Sequence, residues 1–324
     1  MMDPAKLRAA LRKPWIGPLV ALVAVYLLFV ALRPDTFARP TNLVTMARQT
    51  AVVGIAASGM TMLMILGGID LSVGSMVALT TVIVAASLKA GAGVATAVLA
   101  GVAFAALAGA ANGAITTGLG VTPFIVTLGA MRILRGVAKG LAHEQKIDVD
   151  AHGLDALVAP VPDSRAWMLF PPSVYLMLAS AALAGVILKY TRFGRHIVAV
   201  GSNEQTALLC GVEVGRVKVA VYTLSAALAG LAGVIEFGTL TVGDPTDSNG
   251  LELEVIASVV IGGGSLSGGE GSVPGALIGA FLMTVIKTGC THLGWSNWVQ
   301  EVVTGGIIVT AVAVDRLRRA RRAG

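Results

Sequence analysis

The 324-residue chain carries little charge, few aromatic side chains and almost no cysteine. Charged residues make up 13% of it, against about 25% in a typical soluble domain. The two cysteines, Cys210 and Cys290, are too few for a disulfide framework and lack metal-ligand spacing. No Gly-x-x-x-x-Gly-Lys-Ser/Thr loop is present, so the chain does not bind ATP in that way. These absences exclude an ordinary soluble domain, a disulfide-rich secreted protein and a P-loop ATPase.

Apolar residues and glycine fill the chain instead. Hydrophobic residues make up 55% of it and 40 residues are glycine, and the mean hydropathy is +0.81. The apolar runs are long and do not alternate with polar residues, which favours helices over the strands of a membrane barrel. The sequence predicts an all-α polytopic membrane protein. We expect a single permease-like domain over 1–324, with about ten transmembrane helices, some of them broken or half-length.

The net charge of +6 is concentrated at the two ends of the chain. Basic residues beside apolar spans mark the cytoplasmic side, so segments 1–14 and 315–324 are predicted to be cytoplasmic. The charge is therefore interpreted as an orientation signal at the lipid surface and not as a nucleic-acid site. The first apolar run, Trp15–Leu32, could be a signal peptide, but its length and the following Arg33-Pro34-Asp35 favour an uncleaved helix.

Residues Leu66–Ser75 read Leu-Gly-Gly-Ile-Asp-Leu-Ser-Val-Gly-Ser and separate two long apolar runs. A carboxylate at the centre of a membrane helix costs roughly 2.5–3.5 kcal/mol on insertion, so Asp70 must face water or protein. Two interpretations remain open at this point. The stretch is a broken element at the wall of a pathway, with Asp70 and Ser72 as pathway residues, or an ordinary turn in which one of them caps the second helix.

The run Val94–Thr117 carries small residues at every fourth position, which predicts a helix-contact face. Asn112 lies near the end of this run and is either an interhelical hydrogen-bonding group or a third pathway residue. A weaker pattern links Gly67-Gly68 to Gly263-Gly264, since a Leu-Ser pair follows each, and this suggests an internal duplication. Between them, Leu251–Gly262 is too short to span a membrane comfortably, so it either extends further or forms a half-helix.

The segment 190–216 is predicted to be cytoplasmic because basic residues flank it. Ser202 followed three residues later by Gln205 matches a capping box, and Gly211 is a suitable terminator. A short helix over Asn203–Cys210, outside the bilayer, follows from this pattern. The segment is either a simple connection or, given its length and its own helix, a surface for another subunit.

No catalytic constellation or metal site is evident, so we expect no enzyme activity in this chain. His143-Glu144 lacks the second histidine of a zinc helix, and the run after Gly262 does not match a Gly-x-Ser-x-Gly nucleophile elbow. Transport fits better. A motor-driven permease and an ion-coupled secondary transporter acting alone both remain open, and the absence of an obvious partner for Asp70 favours the first.

Four blocks in order resemble the permeases of monosaccharide ABC transporters, the ribose, xylose and arabinose type. The resemblance runs from about Leu43 to the C-terminus. The blocks are Leu66–Ser75, Asn112-Gly113 with Val121–Gly129, Phe193–Gly201 with Asn203 and Ala207, and Ile261–Ser272.

This resemblance implies a type II ABC importer-like fold in the bacterial inner membrane. It implies a second permease copy or paralogue, cytoplasmic ABC ATPase subunits that bind ATP and Mg²⁺, and a periplasmic sugar-binding protein. It also assigns ATPase coupling to a set of residues within 190–216. In Leu209-Cys210-Gly211 the chain departs from the family by carrying bulkier residues. The implied coupling residues are Gly194, Arg195, Gly201, Asn203, Ala207 and Gly211.

Overall fold

The computed structural model describes residues 15–161 and 167–323, apart from the side chains of residues 311 and 314–323. The predicted N-terminal segment 1–14 and Gly324 lie outside the described residues, as do the side chains of the basic tail. The described chain is helical almost throughout. Its helices are α1 Ile16–Leu32, α2 Pro34–Phe37, α3 Pro40–Ile65, α4 Val73–Lys89, α5 Val94–Gly118, α6 Pro123–Leu141, α7 Pro172–Tyr190, α8 Arg192–Ser202, α9 Glu204–Leu209, α10 Val214–Leu240, α11 Leu251–Ile261, α12 Val273–His292 and α13 Asn297–Ala323.

The second half of α3 forms the centre of the bundle. Its side chains are buried without interruption from Thr50 to Ile65, and a helix that is apolar on all sides is stable only when surrounded. Helices α7, α8, α10, α11 and α12 pack against it. The outer helices instead expose large apolar side chains such as Leu107 and Ile133, which are 68% and 67% exposed. An apolar outer surface of this kind suits lipid.

Four described helices are long and apolar enough to cross a membrane: α5, α7, α10 and α12. Helices α1 and α4 are apolar but shorter, at 17 residues each. The prediction of an all-α polytopic membrane protein is thereby confirmed. The predicted half-helix is also found, because α11 has 11 residues and so spans about 16 Å of a hydrocarbon core about 30 Å thick.

The small residues of α5 form the contact face that their spacing predicts. Gly109 and Gly113 face α10, and a Cβ atom on Gly113 would lie 2.8 Å from the Cα of Val219. A Cβ on Gly109 would overlap the side chain of Ala226. Glycine therefore allows the two backbones to approach closely. This strengthens their van der Waals packing, on which helix association depends because the hydrophobic effect does not drive it within lipid.

The two glycine pairs noted in the sequence form the same turn. Gly67 and Gly263 follow α3 and α11 and have φ values of +91° and +92°. The next residue donates its backbone N–H five residues back in both cases, Gly68 to Leu63 at 2.9 Å and Gly264 to Val259 at 2.8 Å. This is the Schellman arrangement, whose left-handed residue favours glycine. The sequence echo thus reflects one helix-ending geometry used twice.

Residues 241–250 run alongside α4 before α11 begins. A short antiparallel pair joins this segment to the loop after α6, with Ile147 opposite Gly243. The Arg135 guanidinium of α6 holds the segment by donating to the carbonyls of Pro245 at 3.0 Å and Asp247 at 2.6 Å. Its far end lies at the start of α4, where a Cβ on Gly74 would overlap the Ser248 carbonyl oxygen. Thus α11 starts beside the first turn of α4.

Candidate translocation and coupling sites

The three predicted pathway residues meet in one hydrogen-bonded cluster. Oδ1 of Asp70 accepts from the Ser72 backbone N–H at 2.8 Å and from the Ser72 hydroxyl at 2.5 Å. The Asn112 amide donates to the Ser72 hydroxyl at 3.2 Å. Asp70 and Ser72 are 0% exposed and Asn112 is 3% exposed. The cluster therefore fastens the broken element after α3 to helix α5.

The hydrogen bonds of this cluster show which of the predicted roles Asp70, Ser72 and Asn112 have within the fold. Ser72 occupies the N-cap position of α4, but no side chain makes a capping bond there, so the interpretation of Asp70 or Ser72 as a cap was wrong. The physical reason is that the Ser72 hydroxyl and backbone N–H both donate to Oδ1 of Asp70. The interhelical hydrogen bond expected of Asn112 is confirmed. A pathway role for the three residues stays a prediction.

Removing the Asp70 carboxylate is expected to destabilise the protein. In Asp70→Ala the buried Ser72 hydroxyl and N–H both lose their acceptor, at about 1–3 kcal/mol for each unsatisfied group. Asp70→Asn keeps one acceptor oxygen and should lose much less. Thermal unfolding in detergent, followed by size-exclusion chromatography, measures the difference.

Asp150→Ala is the matched control for that experiment. Asp150 accepts from the N–H of His152, two residues later, at 2.8 Å, as Asp70 does from Ser72, but at an exposed position. Water replaces the lost bond there, so the midpoint should move little. Equal midpoints for Asp70→Ala and Asp150→Ala would show that the buried cluster does not contribute to stability.

Helix α8 lies against the end of α7 through its glycine face. The Thr191 hydroxyl caps it by accepting from the Gly194 N–H at 3.0 Å. A Cβ atom on Gly194 would overlap the carbonyl oxygens of Ile187 and Leu188, so this position needs glycine for close approach. Arg195, one residue further on, is exposed. The helix is therefore amphipathic, with a packed face and a charged free face.

The short helix predicted after α8 is present, but its first residue differs from the prediction. The N-cap is Asn203, whose Oδ1 accepts from the Thr206 N–H at 2.8 Å. Ser202 is instead the last residue of α8, so the Ser202–Gln205 capping box was wrong. The cap moves because α8 continues to Ser202 and the chain first becomes extended at Asn203, with φ −160°.

Helix α9 ends as predicted and presents an apolar tip. Gly211 has φ +83°, and the Val212 N–H donates to the Ala207 carbonyl at 3.0 Å, which is again the Schellman arrangement. Ala207 is the buried residue of this helix. Leu208 and Leu209 are 62% and 88% exposed. The tip of α9 therefore carries two adjacent exposed leucines.

Three segments meet at Gly201 in the last turn of α8. A Cβ atom on Gly201 would overlap the carbonyl oxygen of Ile65 and lie 3.0 Å from the backbone nitrogen of Gly269. The Gly269 N–H itself donates to that Ile65 oxygen at 2.8 Å. We call Gly201, Ile65 and Gly269 the glycine junction. It joins α8 directly to the end of α3 and to the loop after α11.

Sequence reasoning found Gly201 but missed its two partners. The run from Gly262 to Gly269 was noted for its echo of Gly67-Gly68 and as part of the block Ile261–Ser272, but neither observation predicted a contact with Gly201, and no sequence pattern marks Ile65. The density of glycine in this run is a sequence signal for a tight turn. In the structure Gly268 and Gly269 both have positive φ values, of +85° and +77°. Among the described residues, no group of three or more His, Cys, Asp or Glu side chains is placed to hold a metal ion.

Comparison with known proteins agrees with this architecture. Residues 42–312 match the family described as branched-chain amino acid transport system / permease component. The ribose import permease protein RbsC of Bacillus subtilis is 39% identical over 306 residues, covering 94% of each chain. The L-arabinose transport system permease protein AraH of Escherichia coli is 33% identical over 301 residues, covering 93% of this chain and 90% of its own. No solved structure matches the chain.

A further relative carries no solute in its name. The probable ABC transporter permease protein YphD of Escherichia coli is 40% identical, covering 93% of this chain and 89% of its own. Family and relatives together match nearly the whole chain, from the first span to α13. The resemblance found in the four sequence blocks is thereby confirmed. The chain belongs to this family of ABC-importer membrane permeases and is a member of its ribose- and arabinose-type branch.

Proposed function

We propose that this protein is the pathway-forming subunit of an ATP-driven importer for a monosaccharide or a sugar-like solute. The names of the relatives, for ribose and L-arabinose, support a sugar. The alternative is an ion-coupled secondary transporter that acts alone. The observation that carries the proposal is the glycine junction, because a secondary transporter has no need of an exposed helix packed onto the end of α3 and the loop after α11.

The end of the molecule that carries α8 and α9 faces the cytoplasm in this proposal. Lys189, Arg192, Arg195, Arg216 and Lys218 surround it, and basic residues accumulate on the cytoplasmic side. The loop after α6 has the opposite balance, since it is rich in Asp and Glu. Lys146 in that loop lies 3.0 Å from Asp244, whose hydrogen bond and charge raise the pKa of the lysine. Both termini are then cytoplasmic, in a bacterial inner membrane.

ATPase subunits dock on α8 and α9 and supply the ATP and Mg²⁺ chemistry that this chain lacks. The exposed Leu208 and Leu209 give an apolar contact at the tip, and Arg195 adds a charge on the adjoining face. An ion pair at 2.7 Å between Glu204 and Lys218 ties α9 to the first turns of α10. Force applied at the tip is therefore carried by a supported helix and not by a free loop.

The glycine junction passes this movement to the pathway. Because backbone touches backbone at Gly201, with no side chain between, a shift of α8 moves Ile65 and Gly269 together. Ile65 is the last residue of α3, before the break at Gly67, and Gly269 lies in the loop that follows the break at Gly263. Glycine turns are natural hinges. Asp70, Ser72 and Asn112 hold the first broken element against α5, so that it moves as a unit at the pathway wall. A periplasmic sugar-binding protein delivers solute at the opposite end, and a second permease copy or paralogue completes the pathway.

Reconstitution tests this function directly. Purified permease in liposomes, with its ATPase subunits and sugar-binding protein, is expected to take up radiolabelled ribose or arabinose only when ATP is present. Permease alone should show no uptake under a proton or sodium gradient. Gradient-driven sugar uptake without any ATPase would establish the secondary-transporter alternative and remove the proposal.

A further inference from the structure

A second polar feature lies at the opposite end of α11 from the glycine junction. A cavity of about 640 Å³ opens between the start of α11, the later turns of α12 and the first three turns of α13. We call it the vestibule. Its volume falls within the roughly 300–1,000 Å³ typical of small-molecule sites. Three helices and the end of the 241–250 segment build it, so it is a structured concavity and not a loop surface.

The lining of the vestibule combines polar and apolar surface in nearly equal amounts, although helices of a membrane bundle surround it. A lipid-filled crevice would present apolar side chains, as the outer faces of α5 and α6 do. Polar and charged groups within membrane-spanning segments mark water-filled paths. Leu253 and Ile308 add an apolar wall on which the C–H face of a ring can lie. The polar residues that carry the argument are Asn249, Glu254, Lys287, Asn297, Gln300 and Glu301.

An ion pair links two walls of the vestibule. The Lys287 ammonium of α12 bonds to the Glu254 carboxylate of α11. Lys287 belongs to a helix that is long and apolar enough to span the membrane, yet 42% of its side chain is exposed. A lysine is tolerated in such a helix when it has a counter-ion and contact with water. The vestibule provides both.

Two amides beside the ion pair are held in place by the protein. Gln300 donates its side-chain N–H groups to the Trp295 carbonyl at 3.1 Å and to the Thr291 hydroxyl at 3.3 Å. Asn249 donates to the Thr246 carbonyl at 2.6 Å. Fixed amides lose little freedom when a ligand binds, which favours affinity. Their carbonyl oxygens are acceptors for the hydroxyl groups of a polyol.

We infer that the vestibule is a binding site for an uncharged polyhydroxyl solute and that it disfavours anionic sugars. Its charged groups are the carboxylates of Glu254 and Glu301 and the ammonium of Lys287, so one negative charge is in excess. A phosphorylated sugar meets that charge unfavourably, whereas a neutral sugar uses the amide and carboxylate acceptors. The inference rests on the proposed function, because it names the solute class and the entry point of the same pathway.

Thiol labelling in native membranes tests the vestibule without partners or ATP. The background is Cys210→Ser with Cys290→Ala, which removes both native thiols. The reporter is Thr304→Cys, on the vestibule wall. The control is Val302→Cys, which is 67% exposed on the same helix but does not line the vestibule. Impermeant cationic and anionic methanethiosulfonate reagents are compared, with D-ribose and D-ribose 5-phosphate as competitors.

The reporter is expected to react about tenfold faster with the cationic reagent, because clefts of one charge sign concentrate the opposite one. Glu301→Gln should abolish most of that preference. D-Ribose should slow labelling of the reporter but not of the control, and D-ribose 5-phosphate should not slow it. An unreactive reporter, no charge preference, no protection by ribose, or equal protection by the phosphate would each overturn the inference. A negative result here leaves ATP-driven uptake as a separate question, which reconstitution answers.

Discussion

Replacing residues 203–207 with a flexible Gly-Ser linker is expected to abolish co-purification of the ATPase while leaving the permease in the membrane. The change removes the Asn203 cap and the buried Ala207 that seat α9. A helix of six residues cannot persist in isolation, because helices shorter than about 12–15 residues are marginal in water. Leu208 and Leu209 would then lie on a mobile chain without a fixed docking geometry.

Affinity purification of the permease, followed by quantification of the retained ATPase, measures this effect. Gln205→Ala is the control, since Gln205 is exposed and alanine preserves both the helix and its cap. Membrane insertion should be unchanged in both, because the segment lies outside the spans. ATPase retained at wild-type levels by the linker variant would mean that docking uses another surface.

Gly201→Ala is expected to leave the ATPase docked but to reduce transport at least about tenfold. The added methyl group overlaps the Ile65 carbonyl oxygen, so α8 must move away from the end of α3 or the bond from Gly269 to Ile65 must break. Neither the exposed leucines nor the Asn203 cap is touched. ATP hydrolysis should therefore continue while sugar uptake falls.

Gly185→Ala is the matched control for the glycine junction. Gly185 is also a glycine within a helix, α7, but a Cβ atom there meets nothing within 4 Å. Alanine is favoured over glycine inside a helix by about 0.5–1 kcal/mol, so this variant should be as stable as the parent or slightly more so. The ratio of sugar transported to ATP hydrolysed in proteoliposomes separates the two variants. An unchanged ratio in Gly201→Ala would show that the junction does not transmit movement.

Local patterns predicted much of this molecule because they depend on neighbours in the chain. Long apolar runs specify spanning helices by composition alone, and the four-residue glycine period specifies the face of α5 that meets α10. Gly211 ends α9 as predicted, since a left-handed residue after a helix strongly favours glycine. The N-cap of α9 lies one residue later than predicted, because α8 continues to Ser202. Ser202 and the adjacent Asn203 are both residue types that cap helices, so the sequence pattern alone does not separate them.

Composition and short periodicity were enough to predict the membrane class, the helical fold, the break at Gly67 and the short helix that Gly211 terminates. The contacts between distant residues depend on tertiary packing, which local patterns do not record. Tertiary packing joined Asp70 to Asn112 through Ser72, set Gly201 against Ile65 and Gly269, and paired Glu254 with Lys287 beside α13. Such contacts depend on how whole helices cross and how far they are shifted along one another, and no local run of residues records either quantity.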